Sequence, residues 1–394
     1  MNLESLIRNA RSRGASDLHA EAGLPLVARV RGELVRLGEA PTAADTRAMA
    51  QSLLEGLAWQ QLLERRSADF SRTIGGVRCR INILHSSHGI GLAIRLLARN
   101  IPTIETLNLN SELRDLVAHE HGLVLVSGPT GCGKSSTLAA LIEEINLTEH
   151  RHVITLEDPI EYSLRSKHAF IRQREVGTHT PSFEQGLLDA LREDPDVLMV
   201  GEMRHPEVMR LTLNFAETGH LVFATVHSSD TIEALQRVAM SFPPESQSVV
   251  CAQLADSLIA VIAQRLIYRP DLKIRVPECE VLVGSPPVRN LVRQGHFYKL
   301  ESALTTGARE GMYTFERYQG WMAGRVHWHT STEGQLTDES PDEPTDVPVA
   351  AHAPRPEPAT SEARTVRADE DVINLEPAAE NIADFVSRLR PAGT

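Results

Sequence analysis

The sequence is 394 residues long, enough for two or three domains that each bury a core of their own. Its 42% hydrophobic and 23% charged residues are typical of a soluble globular protein. The formal net charge of −12 is concentrated near the C-terminus, where residues 331–380 hold thirteen acidic residues against three arginines, and the nearly neutral remainder excludes the basic surface of a nucleic-acid-binding protein.

Residues 1–98 predict a small α+β domain. Two segments with period-two alternation, 26–31 and 77–82, are typical of half-buried antiparallel strands. Between them, residues 42–65 carry apolar side chains at helical spacing. We interpret 99–112 as the linker to the next domain, because the pattern changes after Ile101 and Pro102.

Residues 113–330 predict an α/β nucleotide-binding domain with a helical C-terminal part. Continuous apolar strands alternate there with helical segments, which is typical of a parallel sheet buried on both faces. The strands are expected at 123–126, 152–156, 197–200 and 221–225. The α/β core is expected to end near 270, followed by a mainly helical segment to about 325.

Residues 331–394 predict a disordered acidic tail, because their composition cannot bury enough surface to offset the entropy of ordering. The exception is 377–390, where Ile382, Phe385, Val386 and Leu389 share one helical face. This segment is interpreted either as a short helix that docks on a partner or as a transient helix without one.

The segment 128–135 matches the phosphate-binding pattern G-x-x-x-x-G-K-[ST], with an apolar strand before it and a helix-forming segment after it. Its glycines let backbone N–H groups face phosphate oxygens, Lys134 is placed to reach the β- and γ-phosphates of ATP, and Ser135 to bind Mg²⁺. The expected nucleotide-binding residues are Gly128, Pro129, Thr130, Gly131, Cys132, Gly133, Lys134, Ser135 and Ser136. Cys132 is interpreted as a tolerated small residue, with a redox switch as the alternative.

Two acidic residues follow later strands of the predicted sheet, at the strand ends where open α/β sheets bind ligands. Glu157 ends one strand, and Glu202 follows another after a single glycine. One carboxylate can activate water and the other can steady the Mg²⁺ shell, directly or through water. We expect Glu157 to be the general base and Glu202 to support Mg²⁺, with the division of roles between them open.

Two histidines flank the last predicted strand. His227 follows it and is expected to sense the γ-phosphate or contact a neighbouring subunit, whereas His220 precedes it by one residue. Zinc binding by this pair is disfavoured because no third ligand has suitable spacing.

Several segments together resemble the secretion-type ATPases of type IV pili and type II secretion, in particular their PilT-like retraction ATPases. The phosphate loop and the segments around Glu157, Glu202, His220 and His227 are similar to that family's Walker A, Asp, Walker B and His boxes. Segment 284–293 is similar to a motif typical of retraction ATPases, and its Arg289 and Arg293 would share a helix face. The resemblance covers residues 1 to about 322.

The resemblance implies a homo-hexameric ring in which PAS-like N-terminal domains alternate with RecA-like ATPase domains. It implies that Arg80 and Arg95 act as arginine fingers across a domain or subunit gap. The implied function is an ATP- and Mg²⁺-dependent motor for pilus retraction. Such a motor works at the cytoplasmic face of the inner membrane through a platform protein, without nucleic acid. The four dispersed cysteines and the lack of a long apolar segment agree with a cytoplasmic location.

Three other functions stay open. An assembly or type II secretion ATPase of the same superfamily usually carries a longer N-terminal region and often a four-cysteine zinc module, neither of which this sequence has. A non-hydrolysing regulatory ring subunit would not need Lys134, Glu157 and Glu202 together. A helicase is disfavoured by the nearly neutral core.

Overall fold

The computed structural model describes residues 2–30, 33–54, 56–97, 100–272 and 274–330. The predicted acidic tail and its possible helix at 377–390 lie outside the described residues. The predicted domain limits at 98, 112 and 330 stay predictions.

The N-terminal part of the chain forms a six-stranded antiparallel sheet in the order β3-β2-β1-β6-β5-β4. Its strands are β1 (Ala15–Glu21), β2 (Val27–Val30), β3 (Glu33–Arg36), β4 (Ser67–Ile74), β5 (Val77–Ser86) and β6 (Gly89–Leu96). In β5 every second residue is buried over most of the strand, as the alternation in the sequence predicts.

Three helices pack their apolar residues on one face of this sheet: α1 (Leu3–Ser12), α2 (Ala43–Leu53) and α3 (Gly56–Arg65). The predicted helical stretch at 42–65 is therefore two helices. Thr42 caps the first through a reciprocal capping box with Asp45, and Leu54 leaves the helical conformation. The small α+β fold predicted for this part is confirmed.

The C-terminal part forms a seven-stranded sheet in the order β13-β12-β7-β11-β10-β8-β9. The strands are β7 (Gly122–Ser127), β8 (His152–Glu157), β9 (Phe170–Glu175), β10 (Val197–Val200), β11 (Leu221–Val226), β12 (Leu258–Arg269) and β13 (Ile274–Val283). All neighbouring pairs are parallel except β12 and β13. The predicted parallel α/β core is confirmed.

Helices cover both faces of this sheet, so its central strands are buried along their whole length. The helices are α4 (Lys134–Thr148), α5 (Phe183–Ala190), α6 (Pro206–Glu217), α7 (Thr231–Met240), α8 (Pro244–Ser257), α9 (Pro286–Arg293), α10 (Leu300–Thr306) and α11 (Phe315–Ala323). Within the described ranges, no helix combines the length and apolar character needed to cross a bilayer.

The prediction that the sheet ends near residue 270 is wrong, because strand β13 comes next; the mainly helical segment begins after it, with α9, α10 and α11. β13 pairs antiparallel with β12 and forms the edge of the sheet. It contains Pro277 and two buried or half-buried glutamates, Glu278 and Glu280, so it lacks the continuous apolar pattern of the other strands.

Candidate nucleotide site

The phosphate loop connects the buried strand β7 to helix α4. Gly128, Gly131 and Gly133 all have φ in the left-handed region, at 146°, 79° and 93°. A Cβ atom at Gly128 would also collide with the backbone carbonyl of Gln264, so only glycine fits there. A Cβ atom at Gly131 would meet open space, which leaves that side of the loop accessible to a ligand.

Helix α4 begins at Lys134 without a side-chain cap, because the residue before it is Gly133. Its first backbone N–H groups are therefore available to an anion, and the helix dipole favours negative charge at this point. Nζ of Lys134 donates to the carbonyl oxygens of Gly128 and Pro129 at 2.8 and 3.2 Å. Burial lowers the pKa of Lys134. These features fit the binding of a polyphosphate.

Gln264 on β12 supports the phosphate loop through two side-chain hydrogen bonds, a role that the sequence alone did not reveal. The side chain is 2% exposed; its Nε2 donates to the carbonyl oxygen of Cys132 at 2.7 Å, and its Oε1 accepts from Oγ1 of Thr137 at 2.6 Å. Gln264 therefore links the loop to the first turns of α4. The only sequence signal is a polar pair, Gln264 and Arg265, that interrupts an apolar run.

Glu157 lies at the carboxyl end of β8 and is 8% exposed. Its Oε1 accepts hydrogen bonds from Oγ1 of Thr155 at 2.7 Å and Nε2 of Gln173 at 2.9 Å. Burial raises the pKa of Glu157 to about 7 despite these bonds. A carboxylate with a pKa near neutrality is suited to accept a proton.

Glu202, His227 and Lys134 form a short polar chain beside the loop. Oε1 of Glu202 lies 3.0 Å from Nε2 of His227, and Nδ1 of His227 lies 3.5 Å from Nζ of Lys134. Glu202 also pairs with Arg204 at 2.7 Å. Although burial opposes it, these neighbours lower the pKa of Glu202, so its carboxylate stays ionised. Burial and Lys134 lower the pKa of His227, so its ring is neutral at pH 7.

The convergence of these residues follows from the sheet. In the parallel register Ser127 pairs with Val226, and Val200 pairs with both Leu156 and Ala224. The residues that follow these strands therefore emerge at one edge, where ligands of open α/β sheets bind.

The residues available for Mg²⁺ fit that ion. Ser135 is exposed in the first turn of α4, and Glu202 is an ionised carboxylate at the same edge. In the described ranges no group of three or more His, Cys, Asp or Glu side chains could hold a metal ion. Mg²⁺ commonly binds through one or two protein groups together with phosphates and water, so a full protein cage is not required.

Comparison with known proteins assigns the family. A model of the family described as Type II/IV secretion system protein matches residues 2–309. The chain belongs to this family. It is 39% identical over 318 residues to the type IV pilus retractation ATPase PilT of Pseudomonas aeruginosa, covering 80% of this chain and 92% of PilT. It is 41% identical over 321 residues to the uncharacterized protein YggR of Escherichia coli, covering 80% and 97%.

The fold of this secretion system family member also matches a solved structure. The crystal structure of the pilus retraction motor PilT with bound ADP superposes with a TM-score of 0.74 at 36% identity, covering 81% of this chain and 96% of the other. The predicted resemblance and α/β fold class are confirmed by these matches.

Other predicted site residues of this family member lie away from the phosphate loop. His220 precedes β11, at the opposite end of that strand from His227, and its Nδ1 lies 3.1 Å from the carbonyl oxygen of Phe215. On α9, Arg293 pairs with Asp256, and Nε of Arg289 donates to the carbonyl oxygen of Gly284 at 2.7 Å. Both arginines reach Asp256, so they do share one helix face.

The two predicted arginine fingers lie on the N-terminal sheet and are paired within it. Arg80 contacts Asp69 at 2.7 Å, and Arg95 contacts Asp17 at 3.0 Å. The bond to Asp69 raises the pKa of Arg80 most, and the charges of Asp158 and Glu161 add to it. Arg80 therefore lies close enough to the segment that follows Glu157 to be influenced by its charges.

The thiol of Cys132 does not have the character of a redox switch. The residue is 3% exposed, and burial raises the pKa of its thiol although it lies in a loop before a helix N-terminus. Burial thus outweighs the charge of Lys134 and the backbone hydrogen bonds, which lower the pKa of the thiol.

Proposed function

We propose that this protein is a homo-hexameric, Mg²⁺-dependent ATPase that powers the retraction of type IV pili. The observation that carries the proposal is the assembly of Lys134, Glu157, Glu202 and His227 at one edge of the sheet, beside an accessible phosphate loop. The similarity to PilT supports the proposal that the motor acts on a pilus.

Each residue of the site has its own role in ATP hydrolysis. ATP phosphates replace the loop carbonyls as partners of Lys134 and take the backbone N–H groups at the start of α4. Ser135 and Glu202 would hold Mg²⁺, which would offset charge on the phosphates. Glu157 accepts a proton from the attacking water, because its raised pKa suits a base at neutral pH. His227 joins Glu202 to Lys134 and so senses the γ-phosphate.

The remaining charge on the transferred phosphoryl group is met by arginines from an N-terminal sheet. Arg80 and Arg95 exchange Asp69 and Asp17 for phosphate oxygens when the gap between domains or subunits closes. Closure and reopening of that gap, around the segment 100–108, turn hydrolysis into motion. The ring acts at the cytoplasmic face of the inner membrane, on a platform protein of the pilus machine.

Phosphate release by the full-length protein tests the enzymatic part. Lys134→Ala should lower the rate by more than about a hundredfold, since the cation that stabilises the transferring phosphoryl group is lost. Lys299→Ala, an exposed lysine outside the site, is the matched control and should retain wild-type activity. Equal phosphate release from wild type and Lys134→Ala would overturn the ATPase assignment.

The cellular part is tested in a deletion strain with fluorescently labelled pili. Retraction events should disappear and return with the wild-type gene, but not with Lys134→Ala. Normal retraction in the deletion strain, or loss of pili rather than of retraction, would contradict the proposed direction of the motor. Light scattering of the purified protein with ATP should give the mass of six chains.

A further inference from the structure

An ion pair between a half-buried arginine and a buried glutamate connects the N-terminal sheet to the ATPase core. Nη2 of Arg78, on β5, lies 2.7 Å from Oε2 of Glu175, at the end of β9. Glu175 is 3% exposed, so without Arg78 its carboxylate would lie buried with no counter-ion. Nothing in the proposed chemistry uses either residue directly.

Stability alone does not explain this pair. Nε of Arg78 is buried, and none of the described residues accepts a hydrogen bond from it. A buried donor without an acceptor costs free energy, so the guanidinium is only partly satisfied in this arrangement. The pair therefore contributes less to stability than a fully satisfied guanidinium would.

The pair leads directly to the candidate general base. The same Oε2 atom of Glu175 that pairs with Arg78 also accepts a hydrogen bond from the backbone N–H of Ile160 at 3.0 Å. The next N–H along the chain, that of Glu161, lowers the pKa of the Glu157 carboxylate. Gln173, two residues before Glu175 on β9, donates to the same carboxylate at 2.9 Å. The peptide unit between Ile160 and Glu161 thus lies between the ion pair and Glu157. Glu157 and Glu175 are also register partners on the adjacent strands β8 and β9.

We propose that Arg78 is a positioning residue: by holding Glu175, and through it the peptide 160–161, it makes the orientation of Glu157 depend on contact between the N-terminal sheet and the core. When that contact opens, Glu175 loses its counter-ion and the peptide loses its anchor. The chemical step is then favoured only while the N-terminal sheet lies against the core. This inference rests on the proposed ATPase function.

The pH dependence of the chemical step separates positioning from stability. The groups that face the Glu157 carboxylate are the hydroxyl of Thr155, the amide of Gln173, and the backbone and carboxylate of Glu161. Displacing the N–H of Glu161 removes an influence that lowers the pKa of Glu157. In Arg78→Met we expect the acid limb of the kcat profile to move to higher pH by about half to one unit. We expect kcat to fall about tenfold.

The variants are compared as full-length proteins, with KM, kcat and thermal midpoint measured for each. Arg78→Lys retains the charge and should recover most of kcat. Glu175→Gln keeps an oxygen that accepts from the N–H of Ile160 but loses the ion pair. Its shift of the pH profile and its loss of kcat should be in the same direction as those of Arg78→Met, but smaller. Arg78→Met combined with Glu175→Gln should be no slower than Arg78→Met alone, because both act through one contact.

The matched control is Arg265→Met. Arg265 pairs with Glu278 at 2.7 Å, and that glutamate is also fully buried, but the pair joins β12 to β13 within the core. This variant should lose thermal stability and keep the wild-type pH profile.

Two results would overturn the inference: a wild-type pH profile and kcat in Arg78→Met, or the same profile shift in Arg265→Met. If Arg78→Met does not fold, a wild-type pH profile in Glu175→Gln would overturn the inference instead. Failure of the proposed function itself would look different, since wild type would then release no more phosphate than Lys134→Ala.

Discussion

The imidazole of His227 and the carboxylate of Glu202 face each other at 3.0 Å, just beyond the carboxyl ends of adjacent strands. The lowered pKa of His227 keeps the ring neutral at pH 7, so it carries one N–H. The arrangement that suits both neighbours has Nε2 donating to Glu202 and Nδ1 accepting from Lys134. His227 can therefore register a phosphate that draws Lys134 away and pass the change to Glu202.

Replacing His227 by alanine should reduce kcat by about ten- to a hundredfold, with a smaller effect on KM for ATP. The reason is that Glu202 loses a donor that orients it, while Lys134 and the loop still bind the nucleotide. Steady-state phosphate release measures both constants. His88→Ala changes an exposed histidine in the turn between β5 and β6; it is the control, with wild-type kinetics expected. A loss confined to KM would show that His227 only binds nucleotide.

The activity should fall as the pH drops through about 7. Burial raises the pKa of Glu157 to about 7, so below that value the carboxyl is protonated and cannot accept a proton. Glu202, whose pKa is lowered, remains ionised over this range. We expect kcat to decline about tenfold per unit on the acid side, whereas ADP affinity should change little. Glu157→Gln should lower kcat by about a hundred- to ten-thousandfold at every pH and still bind ADP. A kcat that is flat between about pH 5.5 and 8 would contradict the assignment of Glu157 as base.

Much of the candidate site is predictable because it depends on local order along the chain. The phosphate loop is contiguous, and Glu157, Glu202 and His227 each follow an apolar strand. Since parallel strands place their carboxyl ends at one edge, the strand pattern alone brings these residues together.

The remainder depends on contacts between distant parts of the chain, which no local pattern encodes. Arg78 meets Glu175 across 97 positions, and Gln264 reaches Cys132 across 132. Strand β13 was missed for a different reason, because Pro277 and its glutamates hide the strand pattern. The pairing of Arg80 with Asp69 likewise follows from the register of β4 and β5, which sequence alone did not supply.

Gln264→Met tests the support of the phosphate loop. Methionine has a similar length but lacks the amide, so the carbonyl oxygen of Cys132 and the hydroxyl of Thr137 each lose a buried partner. We expect affinity for a fluorescent ADP analogue to fall about tenfold or more, which corresponds to about 1.4 kcal/mol or more. Calorimetric titration with ADP provides an independent measurement.

A pair of variants on α4 serves as the control for this prediction. Thr137→Val removes the hydroxyl that donates to Gln264 and should weaken ADP binding by a smaller factor than Gln264→Met does. Thr137→Ser keeps a hydroxyl and should bind ADP as the wild type does. Unchanged ADP affinity in Gln264→Met, with only a lower thermal midpoint, would make Gln264 a packing residue.

The cysteines should be unreactive in the folded protein. All four are buried, and burial raises the pKa of each thiol, to about 12 for Cys79 and Cys279. Thiolate is the reactive form, so titration with DTNB near pH 8 should detect almost no thiols in the native protein and four in denaturant. Peroxide should leave ATPase activity unchanged on the same timescale, and Cys132→Ala should behave as wild type in that assay. Rapid labelling of Cys132 together with loss of ATP hydrolysis would instead mean that the phosphate loop opens far enough to expose the thiol, and would restore the redox switch as an explanation for a cysteine at this position.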